Sequence, residues 1–386
     1  MRTAALLLAT CCLPLRAAAF TSNPAGSTAQ FLRLGVGARA LGMGEAFGPV
    51  AEGAEALYWN PAGLARTDAP DAAYSHMELL RFFHHDHLAY AHPVPALRGT
   101  LGASMTLFYQ DSLDLVSNTN QNLGQYSVHS EAYSLGYAHP FEGGACAGLA
   151  MKYVQETIYN RRAGGFAFDG GAVFRSRERP LALSAVFRNL GPSRRFINVD
   201  EDLPSELSFG AAYDWKGEDR RLLSALEAAF PYYGAPYAKL GFELPLPVGE
   251  TARAAFRLGF KTLSATDLGA LTGLTFGLGL GRGGGSFDFA FQPMAELGEV
   301  YRFSLGWKFG PVEERPARSR GDHWDAPKPL RPTVREEPEP EPARPAYREA
   351  PPKEKKPKPA KKEKKAKPRK KDSYQDGAVE TPFLIR

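Results

Sequence analysis

Four consecutive residues, His84-His85-Asp86-His87, form the most metal-like group in the chain. Zinc and related ions need three or four imidazole, thiolate or carboxylate ligands converging on one point. On an extended strand, side chains alternate between faces, so His85 and His87 share one face while His84 and Asp86 share the other. Two ligands per face are too few, and the run reads as polar residues near the rim of a sheet. No metal is expected. Gly35-Val-Gly-Ala-Arg-Ala40 has the Gly-x-Gly-x-x-Ala spacing of a dinucleotide loop. That loop requires a buried strand before it and a βαβ unit around it, and Phe31-Leu-Arg-Leu34 is too short and too charged to serve. Gly281-Arg-Gly-Gly-Gly285 is followed by neither a helix nor a Lys-Ser/Thr pair, so it reads as a hairpin turn. With no Gly-x-Ser-x-Gly elbow and no His-Glu-x-x-His, neither an enzyme nor a cofactor is expected.

The N-terminus reads as a secretory leader. Arg2 supplies a positive start, Thr3 to Leu15 an apolar core, and Arg16-Ala17-Ala18-Ala19 the small residues a signal peptidase needs. Residues 1–19 are therefore assigned to a signal peptide, with cleavage before Phe20. Leu8-Ala9-Thr10-Cys11 offers a competing lipobox reading, with an unusual Thr before the Cys. Cleavage leaves Cys146 as the one remaining cysteine, so no intrachain disulfide, zinc site or Cys redox pair is expected. Beyond residue 19 no stretch reaches the ~20 apolar residues of a spanning helix. A chain of this kind crosses a membrane only as a barrel.

Charge is divided unevenly. Residues 311–386 hold 21 Lys/Arg against 14 Asp/Glu, leaving 26 against 28 in the rest, so the net +5 belongs to the C-terminal part. A nucleic-acid reading needs a basic patch on a folded module. The first 310 residues offer none, and no nucleic-acid partner is expected.

From about residue 68 to 310 the dominant pattern has period two. Tyr301, Phe303, Leu305, Trp307 and Phe309 alternate with Arg302, Ser304, Gly306 and Lys308. Leu207, Phe209, Ala211, Tyr213 and Trp215 alternate likewise with Glu206, Ser208, Gly210, Ala212 and Asp214, as do Ala254, Phe256, Leu258 and Phe260 with Arg253, Arg257, Gly259 and Lys261. Each run has one apolar and one polar face. Strands are expected near 72–78, 83–94, 99–110, 130–141, 145–158, 164–176, 181–190, 206–216, 220–230, 236–247, 252–262, 271–282, 285–292 and 300–309. Turns are expected at Gly143-Gly144, Gly164-Gly165, Lys216-Gly217 and Gly283-Gly284-Gly285. Many runs approach ten residues, the length a tilted strand needs to cross hydrocarbon. A soluble sandwich would carry more Lys and Glu on its polar face, whereas Gly, Ser and Ala there suit a lumen. An all-β fold follows: a transmembrane antiparallel barrel of about fourteen strands. An even strand number puts both ends of the barrel on the periplasmic side.

Residues 20–67 break this pattern. They contain Gly35-Val-Gly-Ala-Arg-Ala-Leu-Gly-Met-Gly-Glu-Ala-Phe47, the stretch Ala51 to Ala54, and Glu55-Ala-Leu-Tyr-Trp-Asn-Pro-Ala-Gly-Leu64. This succession resembles the FadL-like family of outer-membrane proteins, especially its PorV/PorQ branch. The resemblance covers about 30 contiguous residues, and the region beyond it agrees in layout rather than in motif. It implies that residues 20–67 fold as a hatch inside the barrel lumen, with Asn60, Pro61 and Ala62 forming an Asn-Pro-Ala turn followed by Gly63. Gly35, Gly37, Arg39, Gly42 and Gly44 would belong to the compact Gly/Ala run. Physically, Asn-Pro fixes a turn whose side chain can bond nearby backbone. Glu45 stands where the family often has Gly, placing a charge inside the plug.

The resemblance further implies an outer-membrane channel that takes up long-chain fatty acids or other hydrophobic small molecules through the hatch-gated lumen. Its alternative is a PorV-like component of a type IX secretion and attachment system. The aromatic end of the last strand, Phe309, resembles the signal read by the barrel-insertion machinery. Residues 311–386 hold 15 of the 31 prolines, and 12 of the 19 residues from Lys353 to Lys371 are Lys or Arg. They are expected to be a disordered periplasmic tail, either a solvated spacer or a segment that docks on an anionic polymer or lipid.

Overall fold

Alternating apolar and polar residues leave each strand with two unlike faces, and closing such strands into a ring satisfies every backbone N–H and C=O without an edge. The computed structural model takes this course. It describes residues 27–310 apart from 120, 197, 198, 218–220 and 250; the expected signal peptide and the expected C-terminal tail lie outside the described residues. Fourteen strands form one closed barrel: β1 (Asp71–Leu79), β2 (Phe83–Val94), β3 (Gly99–Gln110), β4 (Val128–Pro140), β5 (Ala145–Ile158), β6 (Arg161–Arg175), β7 (Leu181–Leu190), β8 (Glu206–Lys216), β9 (Arg221–Pro231), β10 (Tyr237–Val248), β11 (Ala252–Lys261), β12 (Leu274–Arg282), β13 (Gly285–Pro293) and β14 (Glu299–Lys308). Each pairs antiparallel with the next, and β1 closes the ring on β14 from Asp71↔Lys308 to Leu79↔Val300. Asp71 and Lys308 mark one rim, called here the near rim; the opposite end is the far rim.

Burial follows the alternation. Leu135, Leu149, Leu258, Phe256, Leu278 and Phe303 stand exposed on the outer face, while Lys239 and Arg302 are 1% and 2% exposed on the inner face. An outward apolar belt and a polar lumen are the arrangement a bilayer enforces. Among the described residues no helix is long and apolar enough to cross a membrane.

All fourteen expected strands form, several with the expected bounds. Two expectations fail. Gly164-Gly165 is not a turn but part of β6; a Cβ on Gly164 would meet the Tyr153 hydroxyl at 2.8 Å, and one on Gly165 the Arg194 side chain at 2.6 Å, so the glycines make room for neighbours. Four short strands were also not foreseen: Leu113–Val116 with Asn122–Tyr126, and Arg194–Phe196 with Val199–Glu201. They form small hairpins beyond the far rim, where no membrane imposes a face and hence no alternation marks them.

Candidate functional site

The lumen is filled by residues 27–67. The chain is first held at the far rim, where Ser27 bridges Asp202 and the Thr28 amide donates to the Asp202 carbonyl at 3.0 Å. A short 3-10 turn, Gln30–Arg33, buries Phe31 and Leu32. They pack with Ala29, Ala132, Val154, Ala167 and Leu203 in an apolar cluster, against Leu34 and Phe108. The rings of Phe31 and Phe108 stack at 6.5 Å. This is the apolar part of the lumen, and the chain's own side chains occupy it.

Below it the packing becomes glycine-mediated and ionic. Helix α1 (Ala38–Gly42) begins where the amides of Gly37 and Ala38 donate to the hydroxyls of Ser75 and Ser304, at 3.3 and 2.7 Å. Gly42 lies so close to the wall that a Cβ would sit 2.8 Å from the Gly277 Cα. Gly44 has φ 62° and faces the backbone of Phe260 and Leu240, where a Cβ would come to 2.6 and 2.7 Å. Both the conformation and the close approach require glycine there. Glu45, the charge within the Gly/Ala run, is paired: Lys261 holds it at 2.6 Å. Burial alone would raise its carboxyl, but Lys261, Lys239 and Arg302 outweigh that and hold it near about 2.

Arg39 connects hatch and wall. Its guanidinium bonds Glu243 at 2.8 Å and Glu52 at 3.2 Å. Glu243 also takes Arg257 at 2.7 Å, and Arg257 reaches Asp288 at 2.6 Å. Glu227 on β9 accepts from the Gly48 amide at 2.9 Å and pairs with Lys239 at 2.8 Å. Each of these buried or half-buried charges has an opposite partner, which offsets desolvation without an apolar seal.

The Asn-Pro-Ala box closes the structure. Helix α2 (Ala56–Trp59) ends at Asn60, whose side chain accepts from the Ala62 amide at 3.1 Å and caps the 3-10 helix Pro61–Arg66. Pro61 sits at its first turn, where a missing N–H costs nothing. The Asn60 amide group also donates to the Gly48 carbonyl at 3.0 Å and the Ala172 carbonyl at 3.4 Å, tying the middle of the segment to its C-terminal part and to β6. A Cβ on Gly63 would press on Ala51 and Ala56, and one on Gly35 on Trp59. Trp59 donates to the Val36 carbonyl at 3.0 Å, and the Tyr58 hydroxyl is shared between the carbonyls of Leu32 and Leu34. Lys152, Arg188 and Lys239 lie 5.4–5.7 Å from the Tyr58 and Trp59 rings.

Every residue singled out from sequence, Gly35, Gly37, Arg39, Gly42, Gly44 and Asn60 to Gly63, thus lies in this assembly. Their wall partners, Glu227, Glu243, Lys261, Ser75, Ser304 and Thr275, whose hydroxyl accepts from the Gly44 amide at 3.0 Å, were not foreseen. The available signal was a charged or hydroxyl residue on the small-residue face of a strand, which indicates a lumen position but not its partner. His85 and His87 are buried on the inner face, and Asp86 lies outward with His84, as alternation requires. Of the barrel pairings, β6 with β7 carries an irregularity, between Phe168 and Gly170. There Asn189 adopts φ 58° and its amide donates to Asp169 at 2.8 Å. Lys152 bonds Asp169 at 2.6 Å and Asn189 at 2.9 Å.

The fold is shared with solved transport channels. The Pseudomonas putida toluene transporter TodX matches with a TM-score of 0.50 and 11% identity, over 72% of this chain and 99% of that one. A Pseudomonas aeruginosa FadL homologue matches at 0.47 and 11% over 71% and 98%, and the Ralstonia pickettii toluene transporter TbuX at 0.46 and 10% over 72% and 99%. At such identities the likeness concerns the fold. No family profile matches the sequence, and no curated protein matches it.

Proposed function

We propose that this chain is an outer-membrane channel for hydrophobic small molecules, with long-chain fatty acids as the first candidates and residues 27–67 as its hatch. The observation that carries the reading is the contrast inside the lumen. An apolar cluster around Phe31 and Leu32 lies toward the far rim, and an ion-paired, glycine-seated plug lies below it. Displacing Phe31 and Leu32 would expose apolar surface of the kind an acyl chain or aromatic ring covers, at about 0.8 kcal/mol per buried CH₂. Contacts such as Arg39–Glu243 can break and re-form without unfolding the wall. The near rim then faces the periplasm, and the bulge between β6 and β7 is the place in the wall where lateral release requires the least loss of backbone pairing. The fold shared with a toluene transporter agrees with this reading.

A second reading, a PorV-like part of a type IX secretion and attachment system, draws on the Tyr-Trp-Asn-Pro-Ala-Gly box and on how completely Met43, Phe47 and Trp59 fill the lumen. The test measures uptake of labelled oleate and toluene by cells with the intact gene, a deletion, and an Asn60→Ala/Pro61→Ala variant at equal surface abundance. Uptake is expected to fall in the deletion and to change in the hatch variant. Unchanged uptake of both compounds in all strains would reject the channel and direct attention to pull-downs of secreted cargo.

A further inference from the structure

Outside the lumen, one sector of the wall departs from its surroundings. On β13 the outward residues Phe287, Phe289 and Phe291 are apolar, and on β14 Tyr301, Phe303, Leu305 and Trp307 continue the belt. On β2 the outward residues are His84, Asp86, Leu88, Tyr90 and His92, leaving Leu88 alone between a carboxylate and a phenol. Asp86 is six residues from His92, about 20 Å along the strand, or about 15 Å along the membrane normal at the usual tilt. The apolar band of such barrels is about 25 Å tall. Asp86 faces outward on this wall three residues from the far-rim end of β2, where it accepts from Tyr74 at 2.8 Å and Tyr109 at 3.1 Å and bonds the His76 ring at 2.8 Å. Ionisable groups on a lipid-facing wall are costly and generally mark a function.

The sector is also internally repeated. Tyr-Ala-His-Pro occurs twice, at Tyr90–Pro93 and Tyr137–Pro140, at the near-rim ends of β2 and β4, which run in the same direction on either side of β3. In each copy the Tyr hydroxyl meets the His Nδ1, at 3.1 and 3.2 Å. Across the sheet His92 shares a row with Leu101 and Tyr137. Strand tilt moves positions of equal height by about one residue per strand, so His139, two residues beyond Tyr137, lies level with His92. Counting up from there, the level pairs are Tyr90 with Tyr137, Leu88 with Leu135, Asp86 with Tyr133, and His84 with Glu131.

We propose that this face binds a second copy of the chain across a two-fold axis along the membrane normal, centred on β3. Such an axis sets β2 of one copy against β4 of the other at equal height, and an isologous contact requires self-complementary partners. Here they are complementary: His84 meets Glu131, whose carboxylate also accepts from the Tyr133 hydroxyl at 2.9 Å within its own copy, Asp86 faces Tyr133, Leu88 meets Leu135, and Tyr90 meets Tyr137. At the centre, outward-facing Ala103 is small enough for two walls to approach closely. The pairing covers the polar groups that lipid would leave exposed, and it stands whether or not the lumen transports anything.

The test is disulfide formation in intact outer membranes carrying two co-expressed full-length variants, Leu88→Cys and Leu135→Cys. Within one copy these positions lie two strands apart, about 10 Å, beyond disulfide reach, and the native Cys146 is buried. A covalent dimer of about twice the mass of the monomer band is expected. The control pair on the apolar wall, Leu240→Cys with Leu278→Cys, should give none. His84→Glu should cut the yield several-fold, and adding Glu131→His should restore it, with heat-modifiable migration confirming folded barrels throughout. Yields no higher than the control, equal cross-linking by Leu88→Cys alone, or a monomer that retains phospholipid on this face would each overturn the proposal.

Discussion

Strand β11 meets two solvents. Outward, Phe256 and Leu258 stand exposed, and lipid is indifferent to which apolar side chain it meets. Inward, Arg257 is held by Glu243 and Asp288, Gly259 abuts Gly44, and Lys261 holds Glu45. The outer face thus demands only a class of residue, whereas the inner face demands particular ones. Away from the β2–β4 sector the barrel's outer face is a generic adaptation to the membrane, and the individuality of this strand lies in the lumen.

The strongest way to break this contrast is to put a lumen residue on the lipid side. Leu278→Arg, mid-belt on β12, is expected to cost about 2–4 kcal/mol, measured by urea unfolding in vesicles, while Leu278→Phe should cost little. A loss below 1 kcal/mol for the arginine would mean that the outer face is not a lipid face there. Next, Gly44→Val should unseat the hatch by about 1–3 kcal/mol, through overpacking and a φ that valine avoids. Its signature is faster hydrogen exchange at residues 35–47 with exchange in the strands unchanged. Loss of protection in the strands as well would show that hatch and wall fold as one unit.

The smallest effect sharpens the comparison within the hatch itself. Burial, then Asp288, push the Glu55 carboxyl from an ordinary 4.5 up to about 7. A raised acid favours docking in its protonated form, so its contribution is full below the ordinary value and lost as pH rises through about 7. Glu45 runs oppositely: its contribution is full above the ordinary range and lost as pH falls toward about 2. Hatch protection should therefore be greatest near about pH 5 and decline toward about pH 8. Glu55→Gln should flatten that decline; an unaltered pH profile would remove Glu55 from the account.

What could be read from the sequence follows the same division. All fourteen strands were visible because the membrane imposes both a period and a minimum length, as in Tyr301 to Phe309. Residues 27–67 were set apart from the strands in sequence by their Gly/Ala run and Asn-Pro-Ala box. The pairings between them were not visible: Glu243 and Lys261 each read as polar residues facing a lumen, and nothing local to either names Arg39 or Glu45, some 200 residues away. Gly164-Gly165 misled for a related reason, since a glycine that makes room for Arg194 looks in sequence like one that makes a turn.

The closure of β1 on β14 has a consequence for assembly. Asp71 and Lys308 are among the most distant partners in the chain, and joining ends so far apart carries the highest entropic cost of any step in the ring. Residues 27–67 precede β1 in the chain, so they are made before any strand of the wall and long before β14 completes the seam. The segment that fills the lumen is thus the first part of the barrel to be synthesised and the strand that seals the ring is the last.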